Sequence, residues 1–168
     1  FGGIQYNKEN AGTRVWNYLE GTKNEAEAIR SILEKGNVEV NCLTDNKATE
    51  TYFKQYSGKY NVLHIATHGF FYPDPGEEKN RIKSSEVEAG PIVFRGGSTG
   101  FGVSSFVNNL NPLMRSGLVF AGANSVWNKS DMDEGDDGVL TAQEVTQIDL
   151  RKVGLVVLSA CETGLGDI

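Results

Sequence analysis

The apolar run VGLVVLS, at Val153–Ser159, is the feature that most restricts how this chain folds. Its apolar side chains occupy consecutive positions, so a strand formed by the run is apolar on both faces. Strands of this kind are typical of parallel sheets that helices cover on both sides. A second such run, YNVLHIAT at Tyr60–Thr67, lies earlier in the chain. The two runs together predict an α/β fold built on a parallel sheet.

The residues before Thr67 alternate between strand and helix patterns, which is typical of a parallel sheet with right-handed crossovers. The predicted elements are a short strand at Phe1–Tyr6, a helix at Asn24–Lys35, a strand at Val38–Leu43, a helix at Ala48–Tyr56 and a strand at Tyr60–Thr67. The first helix should end at Gly36. Its apolar face should comprise Ala26, Ile29, Ile32 and Leu33.

The middle of the chain has a different character. Residues Tyr72–Gly102 are rich in glycine, proline and charge, which predicts a surface excursion with a short strand at Pro91–Phe94. A further strand is predicted at Leu118–Ala123. A helix is predicted at Thr141–Ile148, where Thr141 and Glu144 have the spacing of a capping box. Val153–Ser159 should then be a central parallel strand.

Composition narrows the class of protein. The chain has 168 residues, enough for one domain over residues 1–168 with a sizeable core. Its net charge of −6 argues against general binding to nucleic acid or to an anionic membrane. No apolar run approaches the roughly 20 residues that a membrane span needs. Two cysteines make no disulfide framework, so we expect a cytoplasmic protein.

Reactive residues follow both of the long apolar runs. The first run leads into THG, with His68 and Gly69, and the second into SACETG, with Cys161. Because sites in open parallel sheets lie beyond the carboxyl ends of the strands, His68 and Cys161 would meet if the two strands were neighbours. A Cys–His pair supplies a nucleophile and a general base. The backbone N–H groups of Gly69 and Cys161 would then be candidate donors to an oxyanion. The alternative is a buried small cysteine and a hydrogen-bonded histidine.

These blocks resemble a known family. LHIATHGFF, DGVLTAQEVTQIDL and VVLSACETGLGD, within Tyr60–Ile168, resemble a CHAT domain, a bacterial caspase-like cysteine peptidase related to separase. The resemblance implies a caspase-like fold, a mainly parallel sheet flanked by helices. It also implies that His68 is the catalytic histidine and Cys161 the nucleophile, that backbone N–H groups of Gly69 and Cys161 form the oxyanion hole, and that no cofactor or metal is needed.

The resemblance further implies a role and partners. It suggests a cysteine endopeptidase in bacterial immunity or signalling that cleaves a protein substrate such as a gasdermin, with a sensor domain of TPR repeats nearby. Caspases carry Gln two residues before the nucleophile and metacaspases carry Asp, whereas this chain has the uncharged Ser159. The family's sheet continues past the nucleophile loop. We therefore expect the C-terminal strands on a downstream segment, as a second chain after autoprocessing or outside this sequence.

Two other classes of function stay open at this stage. One is a catalytically inactive caspase-like interaction module, and the other is a redox-sensing domain that uses Cys161.

Pairing of His64 with His68 at one zinc ion is disfavoured because four strand steps span about 13 Å.

Three single features carry weaker alternatives. An acidic stretch from Asp133 to Glu144 partly matches a calcium loop, but a solvated turn is favoured. Selection of a basic substrate or partner by its acidic side chains is a further alternative. The glycine-rich stretch Gly96–Gly102 lacks the lysine of a phosphate-binding loop. Cys42 is predicted to be structural, within the Val38–Leu43 strand.

Overall fold

The structure is a computed structural model that describes residues 1–7, 15–72, 74, 109–125, 127 and 137–160. Three α-helices are described: α1 (Glu20–Lys35), α2 (Glu50–Tyr56) and α3 (Ala142–Val145). The five strands are β1 (Val62–Ala66), β2 (Gly69–Phe71), β3 (Ser116–Val119), β4 (Val139–Thr141) and β5 (Leu155–Ser159). Single turns of 3₁₀-helix lie at Ser57–Lys59, Pro112–Met114 and Ala123–Ser125.

The two long apolar runs are adjacent parallel strands. β1 pairs with β5 in a register that matches Val62 with Leu155 and Ala66 with Ser159. One more hydrogen bond, from the Thr67 N–H to the Ser159 carbonyl at 3.3 Å, carries the ladder past the end of β1. The predicted parallel sheet is therefore confirmed for the two strands that carry the candidate dyad.

The first residues of the chain extend this sheet on the other side of β1. The amino group of Phe1 donates to the His64 carbonyl at 2.8 Å, and the Ala66 N–H donates to the Phe1 carbonyl at 2.9 Å. The Asp45 N–H in turn donates to the Gly3 carbonyl at 2.9 Å, and Ile4 forms a parallel bridge with Asp45. The spatial order is residues 43–45, residues 1–5, β1 and β5. The chain therefore builds outward in both directions from the boundary between residues 1–5 and β1.

The second predicted strand does not form as expected. Residues 38–44 are not in a strand, and contact with residues 2–5 is confined to the last part of this stretch, where the Gly2 N–H donates to the Leu43 carbonyl at 3.1 Å. The alternating pattern misleads because Val38 is 49% exposed, whereas Leu43 is buried.

Helix α1 begins earlier than predicted and buries less. It starts at Glu20 without a side-chain cap, and Ala26 is its buried residue. Ile32 and Leu33, which were assigned to the buried face, are 68% and 37% exposed. The helix lies against the backbone of residues 2–3, where a Cβ on Gly2 would come within 2.8 Å of the Ala26 Cβ. Close packing is thus confined to the first half of α1.

A small antiparallel sheet follows β1. β2 pairs with β3, and β3 pairs with β4, both antiparallel. The predicted strand at 118–123 is shifted to Ser116–Val119, because the chain turns at Gly122, which has a positive φ of 85°. The capping box of Thr141 and Glu144 is confirmed, although α3 is shorter than the predicted helix.

The core joins the two sheets and α2 and consists mainly of apolar side chains, including Ile4, Phe53, Leu63, Ile65, Phe70, Val119, Phe120 and Leu140. Trp16 and Trp127 belong to it as well, with ring centroids 4.9 Å apart. None of the described helices is long and apolar enough to span a membrane. The predicted excursion at Tyr72–Gly102, with its strand at Pro91–Phe94, falls almost wholly outside the described residues.

A buried carboxylate connects α2 to the turn before β4. The side chain of Glu50 is 1% exposed, and its Oε2 accepts a hydrogen bond from the Gly138 N–H at 3.0 Å. Lys54 pairs with Glu50 and, at 2.7 Å, with Glu144. Burial raises the pKa of Glu50 to about 8, because Lys54 offsets only part of the desolvation. Gly138 has a φ of +78°, a conformation that favours glycine.

The burial of Glu50 predicts how the stability of the protein changes with pH. Folding raises the pKa of Glu50. The contribution of Glu50 to the free energy of unfolding is therefore fully present below its ordinary pKa of 4.5, and it is lost as pH rises through about 8. Glu50→Gln keeps an acceptor for Gly138 and removes the titration. We expect the variant to be more stable than the unmodified protein at pH 8 by at least about 1 kcal/mol, with the difference shrinking toward pH 4.5. Urea denaturation across this range measures it, and a constant difference would contradict it.

Candidate active site

The end of β1 is held in place by a buried threonine. Thr67 is 1% exposed, and its hydroxyl donates to the carbonyl of Val119 in β3. The same oxygen accepts a hydrogen bond from the Tyr6 hydroxyl at 2.9 Å. Burial raises the pKa of Tyr6 to about 12, so the phenol keeps its proton as the donor in this chain of bonds. The residue before His68 is thereby fixed to both sheets.

His68 is half-buried between two aromatic rings and a backbone carbonyl. Its ring centroid lies 5.0 Å from that of Tyr6 and 5.3 Å from that of Trp16. Its Nε2 lies 2.7 Å from the carbonyl oxygen of Asn17. A carbonyl can only accept, so Nε2 carries a proton and Nδ1 is the nitrogen with a lone pair in the neutral ring. His68 is therefore oriented to accept a proton at Nδ1.

The surroundings also bias the charge of His68. Burial lowers the pKa of His68 below 6.5, and the hydrogen bond to the Asn17 carbonyl opposes this only in part. A neutral imidazole near pH 7 is the form that can act as a general base.

The segment that leads to Asn17 is held by Asn124. This buried side chain makes four hydrogen bonds: its Oδ1 accepts from the N–H groups of Val15 (3.0 Å) and Trp16 (2.8 Å), and its Nδ2 donates to the Trp16 carbonyl and to Asn7 Oδ1, both at 2.8 Å. Sequence reasoning found no third group to orient the histidine. It missed this one because a main-chain carbonyl carries no residue signature, and an asparagine after a strand gives no distinctive pattern.

Gly69 is the first residue of β2 and faces Leu118 in β3. Hydrogen bonds flank this pair, from the Val119 N–H to the His68 carbonyl and from the Tyr72 N–H to the Arg115 carbonyl, both at 2.9 Å. In an antiparallel ladder this alternation makes Gly69 a non-hydrogen-bonded position, so its N–H points away from β3.

Cys161 lies outside the described residues, as do Asp133 and Gly96–Gly102. The structure thus brings together the two strands that lead to His68 and Cys161, while the pairing of the two side chains stays a prediction. β1 ends two residues before His68, and β5 ends two residues before Cys161.

A polar pocket of about 430 Å³ opens at the same edge of the sheet. It lies beyond the carboxyl ends of residues 1–5 and 43–45, close to the boundary from which the sheet builds outward. Ligands of open α/β sheets bind at such boundaries. The pocket shares Asn17 with the surroundings of His68 and can hold a polar group. Its lining comprises Gln5, Asn7, Asn17, Tyr18, Asp45 and Asn46.

Three weaker candidates have structural partners instead. His64 is 3.1 Å from Glu25, so its Nε2 points to α1. Both oxygens of Glu144 are occupied, one by Lys54 and one by Thr141, which removes it from the calcium-loop interpretation. Cys42 is a half-buried free thiol outside any strand, which corrects its predicted place in one. Within the described ranges, no group of three acidic, histidine or cysteine side chains could hold a metal ion.

The geometry around His68 predicts its tautomer. At neutral pH we expect the Nε2–H form, with a pKa below 6.5, because the Asn17 carbonyl requires a donor at Nε2 and burial disfavours the cation. Long-range ¹⁵N–¹H correlation spectra measure both properties. The chain has only two histidines, so His64→Gln assigns the signals. An Nδ1–H tautomer, or a pKa above 6.5, would contradict the described orientation.

Comparison with known proteins supports one assignment. The family model of the CHAT domain matches residues 3–168, almost the whole chain. Searches of curated proteins and of solved structures gave no significant match. The match agrees with the parallel sheet flanked by helices. CHAT domains are caspase-like and related to cysteine peptidases, and this chain belongs to the CHAT domain family.

Proposed function

We propose that this chain is a cysteine endopeptidase in which His68 and Cys161 form the catalytic dyad. The observation that carries the proposal is the register of β1 and β5, which matches Ala66 with Ser159. His68 comes two residues after Ala66 in the sequence, and Cys161 comes two residues after Ser159. The register supports a dyad, because both strands lead toward the same edge of the sheet.

The mechanism follows from the orientation of His68. Nδ1 accepts the proton of the Cys161 thiol, and the thiolate attacks the carbonyl carbon of a peptide bond. Backbone N–H groups of Gly69 and Cys161 stabilise the oxyanion of the tetrahedral intermediate. The direction of the Gly69 N–H, away from β3, supports this role.

The second half of the reaction uses the same nitrogen. The intermediate collapses to an acyl-enzyme as Nδ1 protonates the leaving amine. His68 then removes a proton from water, which attacks the thioester carbonyl, and the acid product leaves as the thiol regains its proton. The Asn17 carbonyl stabilises the imidazolium at both stages, because it accepts the hydrogen bond from Nε2.

The biological setting belongs to the same proposal. CHAT membership supports a protein substrate, and the resemblance adds a role in bacterial immunity or signalling, such as gasdermin cleavage, with a TPR sensor nearby and a cytoplasmic location. Among the described residues that line the polar pocket, the carboxylate of Asp45 and four amide side chains favour a polar or basic substrate side chain.

Substitution of the dyad tests the proposal. We expect Cys161→Ala and His68→Ala each to lower peptide cleavage by about a thousandfold or more, the scale for removing one member of a nucleophile–base pair. The chain offers a matched control for the nucleophile, because Cys42→Ala changes the only other cysteine. This control should keep most of the activity.

The same assay separates the other two functions. A Cys161→Ala protein that still cleaves would overturn the dyad. Absence of cleavage in the unmodified protein together with its downstream segment, with binding of a partner intact, would support an inactive interaction module. Oxidation of Cys161 by peroxide without peptide hydrolysis would support a redox sensor.

We also propose that a strand of a downstream segment pairs with the free edge of β5. Among the described strands, β5 pairs only with β1, although four consecutive apolar side chains occupy it. These side chains are 37–54% exposed: Leu155, Val156, Val157 and Leu158. Val156 and Leu158 also line an apolar groove of about 260 Å³ on one face of the sheet. An exposed apolar edge of this kind pairs readily with another strand.

Co-expression tests this partner. We expect residues 1–168 and the downstream segment to form a stable complex with a higher Tm than the chain alone, and peptide cleavage only in the complex. Val156→Lys should weaken the complex, whereas Ile32→Lys, at an exposed apolar position on α1, should not. A monomeric, fully active chain without the segment would contradict the proposal.

A further inference from the structure

A side-chain cluster below the candidate dyad joins α1 to both dyad-bearing strands. Glu25 on α1 places Oε1 3.1 Å from His64 Nε2, and its Oε2 accepts from the Ser159 hydroxyl at 3.2 Å. His64 belongs to β1 and Ser159 to β5. All three side chains are partly buried. One carboxylate therefore connects two strands whose shared edge carries the proposed chemistry.

The connection runs diagonally across the strand pair. In the register, His64 lies opposite Val157, whereas Ser159 lies opposite Ala66. Glu25 thus joins positions two residues apart along the strands, a rise of about 7 Å. A bond between directly opposite residues resists separation of the strands, whereas a diagonal bond also resists sliding of one strand past the other.

Sliding is the motion that matters for a dyad divided between two strands. A shift of β5 along β1 changes the distance from Cys161 to His68 directly, and a misplacement of about 1 Å can cost roughly a hundredfold in rate. β5 has one described neighbour, and its half-exposed side chains contribute little packing. The diagonal contact therefore acts where backbone hydrogen bonds are fewest.

We infer that Glu25 is a positioning residue for the proposed peptidase, holding β5 in register with β1 through Ser159 and His64. The inference rests on the proposed function. It also gives Ser159, the uncharged residue two positions before Cys161, a role in holding the strand through its hydroxyl.

The test uses the peptidase assay on the complex with the downstream segment, with four variants of residues 1–168. Glu25→Ala removes the connection and should lower kcat by roughly tenfold while KM changes less than about twofold, because substrate contacts stay in place. Ser159→Ala should have a similar effect. The double variant should be no worse than either single one, since both remove one shared interaction. Glu27→Ala is the matched control, an exposed glutamate on the same helix, and should behave like the unmodified protein.

A conservative variant distinguishes position from charge. In Glu25→Gln the amide oxygen can accept from His64 and the amide nitrogen can donate to the Ser159 oxygen, which accepts as well as donates. We expect Glu25→Gln to stay within about threefold of the unmodified kcat. The rate of Cys161 alkylation by iodoacetamide, in a Cys42→Ala background, should fall with Glu25→Ala and recover with Glu25→Gln, which reports on the dyad without a bound peptide.

The outcomes separate this inference from the proposed function. If the unmodified protein cleaves and Glu25→Ala matches Glu27→Ala in kcat and alkylation, the positioning role is wrong and the peptidase stands. A loss of kcat that only follows the folded fraction, measured by circular dichroism at the assay temperature, also overturns the role. If the unmodified protein does not cleave and His68→Ala leaves alkylation unchanged, both proposals fall.

Discussion

The parallel ladder between β1 and β5 is the constraint on which the rest of the site depends. Its partners lie far apart in sequence, yet the register from Val62 with Leu155 to Ala66 with Ser159 is continuous. A slip by one residue would move every apolar side chain of β5 to the opposite face. Because β5 is apolar on both faces, side-chain pattern alone does not penalise such a slip strongly. The contact of Ser159 with Glu25, unlike the backbone ladder, is specific to one register and favours it.

A second constraint fixes what surrounds His68. Buried polar groups need partners, and here the partners are arranged in series. Tyr6 donates to Thr67, and Thr67 donates to Val119, which joins the first strand of the sheet to β3. Asn124 independently holds the segment that ends at Asn17. The surroundings of the His68 ring are thus set by two hydrogen-bonded networks, both of which lie outside the β1–β5 ladder.

The sequence predicted the elements that depend on local pattern and missed those that depend on tertiary contact. β1 and β5 were predictable because their apolar runs are long and β-branched. Ile32 and Leu33 follow the helical period of α1 but stay exposed, since the helix packs through its first half. The end of α1, by contrast, was predictable, because the helix stops at Lys35 with Gly36 as the capping residue.

The candidate site divides in the same way. His68, Gly69 and Cys161 were identifiable because each has a distinctive side chain or none, placed after a strand. The Asn17 carbonyl and the Glu25 contacts were not, because any residue has a carbonyl and a glutamate on a helix is usually a solvated one. Pairs separated by more than a hundred residues, such as Glu25 with Ser159, leave no periodic signal in a single sequence.

The long excursion between β2 and β3 can vary without disturbing His68, because its two ends are closed by the protein itself. Arg115 is 1% exposed, and it donates from Nε to the Tyr72 carbonyl at 3.0 Å and from Nη1 to the Asn109 carbonyl at 3.1 Å. The β2–β3 ladder then separates this junction from His68. Closing a loop at its base makes the entropic cost of further residues small, about 0.6 kcal/mol for each doubling of length. Insertions there would leave the orientation of the histidine to Thr67 and Asn17.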